Sequence, residues 1–595
     1  MANFFKDNDD IQFLLMHMDL GTLARTVEED FRFAAEFESA PVDEADAVEN
    51  YRLVLDSLGR LSGDFIAPRA ESVDREGNTL NSDGSVSYAK GIAESLEKLA
   101  QAQVMGFTLP HRFGGLNFPN VIYSAAIEIV SRADASLMNI FGLQGIAETI
   151  NAFADEPIKQ RYLHDFSAGK VTGAMVLTEP DAGSDLQSVK LRAFKDANDR
   201  WFLHGVKRFI TNGCGEVLLV LARSEPDRGG GLGLSLFVCD RGPTVHIRRL
   251  EDKLGIHGSP TCEIFFDNTP CEIIGERQRG LVTYVMSLMN GARIGIAAQS
   301  MGIAEAAFRV ARDYAASRAQ FGVPIEKLPA VRDMVIDMKL AIEAGRALLY
   351  ETSRVVDREI GCMKAVENPP QDKELAKQLK NDSRKYKRCA GMLTPMSKYY
   401  CSEMCNRVTY DSIQVLGGSG FMRDYPVERH ARDARITTIY EGTSQLQIVA
   451  AVRGVCSGTA ENLMAEYAEQ SYTPEVHDLL ERLAEGRELL KKGVAFVKDN
   501  GNDYMDLYGR ALVDVAIDLI NGYLLCRQAS TNVEMQVQTA EPGVAIPMRQ
   551  RKAQMARRYI LRNAPKIEAL VDMVCAGDKS TFTAYEVLAG PVPTD

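Results

Sequence analysis

The stretch Ile439-Tyr440-Glu441-Gly442-Thr443-Ser444-Gln445 holds the residue types best suited to chemistry in this chain. A carboxylate stands at the end of a β-branched run, Arg435-Ile436-Thr437-Thr438-Ile439, and just ahead of a predicted helix. That helix is expected from Ser444 to about Arg453, with Leu446, Ile448, Val449 and Val452 as its apolar positions and Thr443 or Ser444 as its N-cap. An acidic side chain before a helix is commonly just a favourable partner for the helix dipole. Fixed there and flanked by apolar residues, it also suits proton abstraction.

The elements that must position this carboxylate belong to a large chain. At 595 residues more than one domain is expected. Hydrophobic residues make up 46% and charged residues 25%, the balance of an ordinary soluble globular protein. A net charge of −13 argues against a nucleic-acid partner. The first ten residues are acidic and have the character of neither a signal peptide nor an Arg-rich transit peptide. No apolar run reads as long enough to span a membrane. The 11 cysteines are scattered and odd in number, which fits a reducing cytoplasm rather than a disulfide scaffold. Cys401 and Cys405 lie four apart on a predicted helix without further ligands nearby, and are read as a buried pair rather than a metal site.

Periodicity divides the chain. Residues 1–50 form an acidic, partly apolar extension. Residues 51–170 read as helical, with Leu53, Leu55, Leu58 and Leu61, then Ile92, Leu96 and Leu99, at helical spacing. Between 171 and 280 the pattern changes to short runs: Val171–Leu177, Trp201–Leu203, Val217–Ala222, Leu234–Val238, Val245–Ile247 and Cys262–Phe266. Turn residues separate them, as expected of a compact β-barrel or sandwich. No helix-length segment intervenes, and neither a complete G-x-G-x-x-G nor a Walker A pattern occurs, so a dinucleotide-binding α/β domain is disfavoured. Residues 281–458 read as a helix bundle, with Ile294, Ala298, Met301, Ala304, Phe308 and Ala311 on one stripe and Val331, Met334, Val335, Met338 and Ile342 on another. Within it, Glu367–Lys387 reads as a solvated loop or insertion around Pro369-Pro370. Residues 459–595 form an additional helical domain. Its basic segment Arg549–Lys566, with apolar Met555, Tyr559 and Ile560, is expected to pack on a partner rather than lie on a membrane surface.

Motifs in order along the chain carry a resemblance. Leu177-Thr178-Glu179-Pro180-Asp181-Ala182-Gly183-Ser184-Asp185 is similar to T-E-P-x-A-G-S-D, and Gly205-Val206-Lys207-Arg208-Phe209-Ile210-Thr211-Asn212-Gly213 to G-x-K-x-[WYF]-I-[TS]-N. Arg318-Ala319-Gln320-Phe321-Gly322 is similar to R-x-[QT]-F-G, and Gln414 to Phe421 to Q-x-x-G-G-x-G-[FY]. Arg432-Asp433 followed by Tyr440-Glu441-Gly442-Thr443 completes the set. Together they resemble the acyl-CoA dehydrogenase family over roughly Tyr51 to Gly458. The fold this implies is mainly α with a central β domain: an N-terminal helical domain, a β-barrel and a helix bundle, here followed by the additional C-terminal helical domain. Elongated members include very-long-chain and methylthiopropionyl-CoA types, and the polar insertion before Leu393-Thr394-Pro395 looks more like the latter.

The resemblance implies an FAD-dependent enzyme that oxidises an acyl-CoA thioester across its α and β carbons. An α proton beside a thioester is too weakly acidic for a carboxylate of ordinary pKa, about 4.3, so the site must raise the pKa of its base by desolvation and stabilise the enolate-like oxygen with donors. Glu441 matches that base, with its backbone N–H as one donor and Gly442 beside the substrate. Thr178, Phe209 and Thr211 match positions against the flavin ring, and Ser184 one near the flavin or CoA phosphates. Arg318, Gln320 and Phe321 match residues that reach the FAD of a neighbouring subunit, which implies a homodimer or larger assembly. Gln414, Gly417 and Gly418 match the adenine-side pocket, and Thr443 and Gln445 match FAD contacts at a helix start. Electron-transfer flavoprotein is the implied electron acceptor.

One subgroup places its base as Glu immediately before an Arg on an earlier helix. The corresponding pair here is Ala292-Arg293, and alanine cannot abstract a proton. Arg293 is expected either to support the site or the CoA moiety, or to sit on a helix surface. Pro110-His111-Arg112-Phe113-Gly114-Gly115 departs from the family's pattern by having His and Arg where acidic residues are common, and Gly255-Ile256-His257-Gly258-Ser259 by having His257 for an arginine. The rival readings are an acyl-CoA oxidase using O2, a catalytically silent binding or assembly protein, and a nitroalkane or amine oxidase on the same fold. Glu441 disfavours the last.

Overall fold

A computed structural model describes residues 2–142, 145–367 and 369–593. The chain divides into two compact units: residues up to Ser383 with Ser397–Thr443, and Arg384–Met396 with Ser444 onward.

In the first unit, the acidic extension folds into helices Asp9–His17 and Leu20–Val27, capped by Asn8 and Asp19. Both belong to the core of the unit. Asp10 is buried and accepts hydrogen bonds from Lys339 Nζ at 2.6 Å and Arg346 at 3.4 Å. Arg346 is itself fully buried and reaches Glu128 at 2.6 Å and Glu305 at 3.0 Å. Glu28, from the same extension, stands 3.0 Å from His111 Nε2, and both side chains are buried. The unusual His111 therefore has its acidic partner supplied from outside its own motif.

The following helix, Glu44–Arg60, buries Ala47, Tyr51, Leu55 and Leu58. This corrects the stripe read from sequence: Leu53 is 57% exposed, because the inward face is set by 47, 51, 55 and 58 rather than by the run of leucines.

The β domain has seven strands, one more than the sequence signalled. Arg192–Lys195 is the addition. It is short and bounded by charges, so its alternation is too brief to stand out. Val217–Arg223 pairs in parallel with Gly173–Val176 and antiparallel with Leu234–Asp240. Pairing continues from Leu234–Asp240 to Thr261–Ile274, then Trp201–Thr211, then Arg192–Lys195, and returns through Arg192↔Arg223. The sheet thus closes on itself as the expected barrel. Leu218, Val220, Phe237, Ile264 and Phe266 fill its interior. Leu219, Leu221 and Leu236 on the other face pack with Ile146, Ile150 and Phe166 of the preceding helices. Burial on both faces explains why Val217–Ala222 is apolar throughout rather than alternating.

The long helices Met286–Ser317 and Pro329–Glu367 follow. The segment Gly280–Ser317 is long and apolar enough to cross a membrane, contrary to the sequence reading, yet over half of its apolar window is buried inside the protein. It carries Arg293 and Glu305 among its buried residues, as a core helix with internal partners can.

The expected loop at Glu367–Lys387 is not one. Asn368 lies outside the described residues, but a 44-residue helix begins at Lys373 and runs to Leu416. Asp372 caps it by accepting from the backbone N–H groups of Glu374 and Leu375. Its Lys, Glu, Ala, Gln and Leu content is helix-favouring although no apolar stripe marks it.

In the second unit, helices Ser444–Cys456, Thr459–Ala468, His477–Asn500, Asn502–Ala529 and Met548–Cys575 pack together. A Cβ at Gly486 would lie 2.6 Å from Leu519, so the absence of a side chain there lets two long helices approach. The basic segment sits on Met548–Cys575 and buries Ala556, Tyr559 and Ile560 within this unit, while Arg557 pairs with Asp478 at 2.7 Å. The partner its apolar face packs on is the chain itself.

Candidate active site

Glu441 follows two short helical pieces rather than an extended run. Val427–Arg435 is α-helical and Ile436–Thr438 forms a 3-10 turn. Buried Thr437 donates to the Ala434 carbonyl at 2.7 Å, which diverts a β-branched residue from strand to turn. Buried Asp433 accepts the Ile256 N–H at 2.6 Å, tying this segment to the Gly255–Ser259 loop of the β domain. His257 in that loop is satisfied by Asp74 at 2.9 Å and the Lys253 carbonyl at 2.7 Å.

Glu441 itself has φ 54° and Gly442 φ 92°. Two successive left-handed residues make a sharp turn, and a non-glycine in that conformation stores roughly 1 kcal/mol or more of strain, a cost that clusters at functional sites. Burial pushes the Glu441 carboxyl up to about 7, against the opposing pull of Lys398 and Arg293. Arg293 is only 9% exposed, which rules out the helix-surface reading. It donates to Asn290 Oδ1 at 3.0 Å, its Nε has no protein partner, and burial lowers its pKa while Glu441 raises it. Lys398 is fully buried, and its Nζ donates to the Gly442 carbonyl at 2.8 Å. The adjacent Tyr440 hydroxyl bonds Gln299, which in turn donates to Asn139 at 2.9 Å.

The β domain assembles a second group. Lys207, fully buried on the Trp201–Thr211 strand, donates to the Leu177 carbonyl at 2.6 Å and pairs with Glu179 at 3.0 Å. Glu179 also accepts the N–H groups of Lys190 and Leu191, both at 2.8 Å. The Arg208 N–H donates to the Thr178 carbonyl at 3.0 Å. That bond places Thr178 against the strand that carries Phe209 and Thr211. A bulge between Lys207 and Ile210 gives Phe209 a φ of 61° and leaves its ring 51% exposed. Ser184 lies exposed further along the Thr178 loop.

A third group forms at one end of the bundle. Ala319–Gln320 and Val323–Pro324 make a hairpin whose turn residues, Phe321 and Gly322, have φ 53° and 80°. Phe321 is 90% exposed and Arg318 and Gln320 are exposed with it. Tyr314, just before Arg318, donates to Ser419 at 3.3 Å. That contact joins the hairpin to the Gly417–Phe421 turn, where the space beside Gly417 and Gly418 is open. Gln414 precedes the turn, exposed and bonded to Tyr410 at 3.0 Å. Thr443 and Gln445 stand at and just inside the start of the Ser444–Cys456 helix.

The donor set suits FAD: an accessible aromatic and two threonines for a flat ring, and glycine backbone with an arginine for a pyrophosphate. The sequence reading did not single out Lys207, Glu179 or Lys398. Lysines among apolar residues, as in Met396-Ser397-Lys398-Tyr399-Tyr400, are the signal that could have found two of them, because a buried ammonium needs a partner.

Comparison with known proteins identifies the class. Sequence models described as the acyl-CoA dehydrogenase N-terminal, middle and C-terminal domains match residues 49–170, 174–269, and 279–369 with 373–455. A further model, acyl-CoA dehydrogenase C terminal, matches 456–566. The chain belongs to the acyl-CoA dehydrogenase family and is an FAD-dependent dehydrogenase. It is similar to an acyl-CoA dehydrogenase of Bacillus subtilis, 34% identical over 61% of this chain and 90% of that protein. It is also similar to the 3-methylmercaptopropionyl-CoA dehydrogenase of Ruegeria pomeroyi, 33% identical over 67% of this chain and 69% of the other. Among solved structures, butyryl-CoA dehydrogenase from Megasphaera elsdenii superposes with a TM-score of 0.57 at 29% identity, covering 68% of this chain and 97% of that one.

Proposed function

We propose that the chain oxidises a saturated acyl-CoA to the trans-2-enoyl-CoA, with Glu441 as the base. The observation that carries this reading is a carboxylate held in a left-handed turn and raised by burial to about 7. At that value about half of it is ionised at neutral pH, and the anion is basic enough to take the α proton. FAD, when bound, would supply the acceptor for the β hydride while Glu441 takes the α proton, leaving the C–C double bond. Thr178, Ser184, Phe209, Thr211, Gln414, Gly417, Gly418, Thr443 and Gln445 would hold it, and Arg318, Gln320 and Phe321 would reach the cofactor of a second subunit. Exposed Phe321 and Phe421, the latter at 80%, support a homodimer or larger assembly at that end of the bundle. The Glu441 N–H and the buried Arg293 cation favour negative charge growing on the thioester oxygen. Electron-transfer flavoprotein fits as the acceptor in a cytoplasmic setting.

Glu441→Gln is nearly isosteric and cannot accept the proton. It is expected to bind FAD and acyl-CoA normally while anaerobic flavin bleaching slows by several orders of magnitude. Near-normal bleaching would move the base elsewhere. Oxygen consumption without added acceptor would favour the oxidase reading, and a preparation that binds no flavin the silent one.

A further inference from the structure

Glu441 occupies a backbone conformation that its own residue type disfavours, so something outside the turn must hold it there. One polar contact on that turn comes from another element, from Lys398. This residue lies on the Lys373–Leu416 helix, fully buried, and donates from Nζ to the Gly442 carbonyl at 2.8 Å. Burying an ammonium for one carbonyl bond is unfavourable unless an anion is close by, since desolvation of the charge far exceeds the gain from a neutral acceptor. The anion that acts on it most strongly is Glu441, and in return Lys398 is the largest influence favouring ionisation of Glu441.

We infer that Lys398 is a positioning residue for the base: it clamps the Glu441-Gly442 turn through the Gly442 carbonyl and keeps the Glu441 side chain anionic with its charge. The inference rests on Glu441 being the base. Other charged groups bear on the pair. Arg293 on the Met286–Ser317 helix also favours the Glu441 anion, and Glu403, on the same helix as Lys398, favours the Lys398 cation. Tyr440, next in sequence, stays protonated through burial and through the Glu441 charge. Burial brings the Lys398 ammonium down to about 7, so both halves of the pair respond near neutrality.

The test uses the FAD-loaded enzyme and two variants. Lys398→Gln keeps a donor for Gly442 and removes the charge, and Lys398→Arg keeps the charge. In Lys398→Gln the acid limb of the flavin-reduction rate is expected to move up by about one pH unit, so the rate ratio between pH 9 and pH 6 grows about tenfold. In Lys398→Arg, which stays charged throughout, the limb is expected to stay in place or move down. Hydrogen exchange over residues 436–446 gives a second readout that needs no turnover. Lys398→Met, which removes charge and donor, is expected to exchange there at least several-fold faster than the wild type, and Lys398→Gln less so. An unmoved limb in Lys398→Gln, or one displaced upward in Lys398→Arg, overturns the electrostatic role. Unchanged exchange in Lys398→Met overturns the clamp. If only the arginine variant folds, an upward displacement of its limb still overturns that role. Glu441→Gln run in parallel separates the two failures: if it reduces flavin normally, the base assignment has failed, whereas if it is inert and the Lys398 variants behave as wild type, only the present inference has.

Discussion

Glu441 combines two costs, an unfavourable φ and a largely desolvated carboxylate, and both have measurable consequences. As the proposed base it works as the anion, so the reaction rate is expected to rise with pH through about 7. A pH profile of single-turnover flavin reduction checks this. Stability runs the other way. The carboxyl has an ordinary value of 4.5 when unfolded and about 7 when folded. Below 4.5 it is protonated in both states and costs nothing. As pH rises through that window the unfolded chain releases its proton first and stability falls, and above 7 the full penalty is present. Glu441→Gln is therefore expected to melt at a higher temperature than the wild type at pH 8 and nearly the same at pH 4. The gain is about 2 kcal/mol after allowing for the residue's partial exposure. Equal melting shifts at both pH values would mean that the carboxylate is not destabilised by its surroundings. In sequence Glu441 was singled out by its place beside a helix start together with the motifs that carry the family resemblance. Lys398 was not, because a single lysine in a 44-residue helix is normally solvated, and only the three-dimensional position of Gly442 reveals its partner.

At the scale of elements, the Phe321-Gly322 turn presents the same tension as Glu441. A two-residue hairpin with both φ values positive is the type that favours Asn-Gly, and phenylalanine there is strained. Phe321→Asn is expected to raise thermal stability of the isolated subunit by about 1 kcal/mol and at the same time to lower FAD retention and subunit association. Gel filtration with flavin absorbance measures both. Full FAD retention together with unchanged association would show that the aromatic side chain is dispensable. The helices and barrel strands that bury one face, or both, were legible from their periodicity. The Lys373–Leu416 start and the Arg192–Lys195 strand were hidden because their local sequences are polar, and their structure comes from a cap and from pairing with a strand on either side.

At the scale of the molecule, the N-terminal extension completes the first unit. Asp10 is the acid that faces both Lys339 and Arg346, and Arg346 has no access to water. Asp10→Ala leaves the buried Arg346 and the half-buried Lys339 short of an anion and is expected to cost about 3 kcal/mol, with a drop in melting temperature of several degrees. Differential scanning calorimetry decides it, and an unchanged transition would mean that the extension contributes no net stability. Sequence alone left the extension without a role, since its acidity looks like a solvated tail and its partners lie hundreds of residues away.

That distance sets an order on how the chain is made. Asp10 and Arg346 are separated by 336 positions, and at roughly 5–20 residues per second a ribosome needs on the order of 20–70 seconds to travel between them. Throughout that interval Phe13, Leu14 and Leu15, which end buried, have left the ribosome ahead of the bundle helix that contributes Lys339 and Arg346. The newborn chain thus carries a sticky leading segment, and its folding yield should respond to translation speed and to chaperones that bind emerging apolar chain.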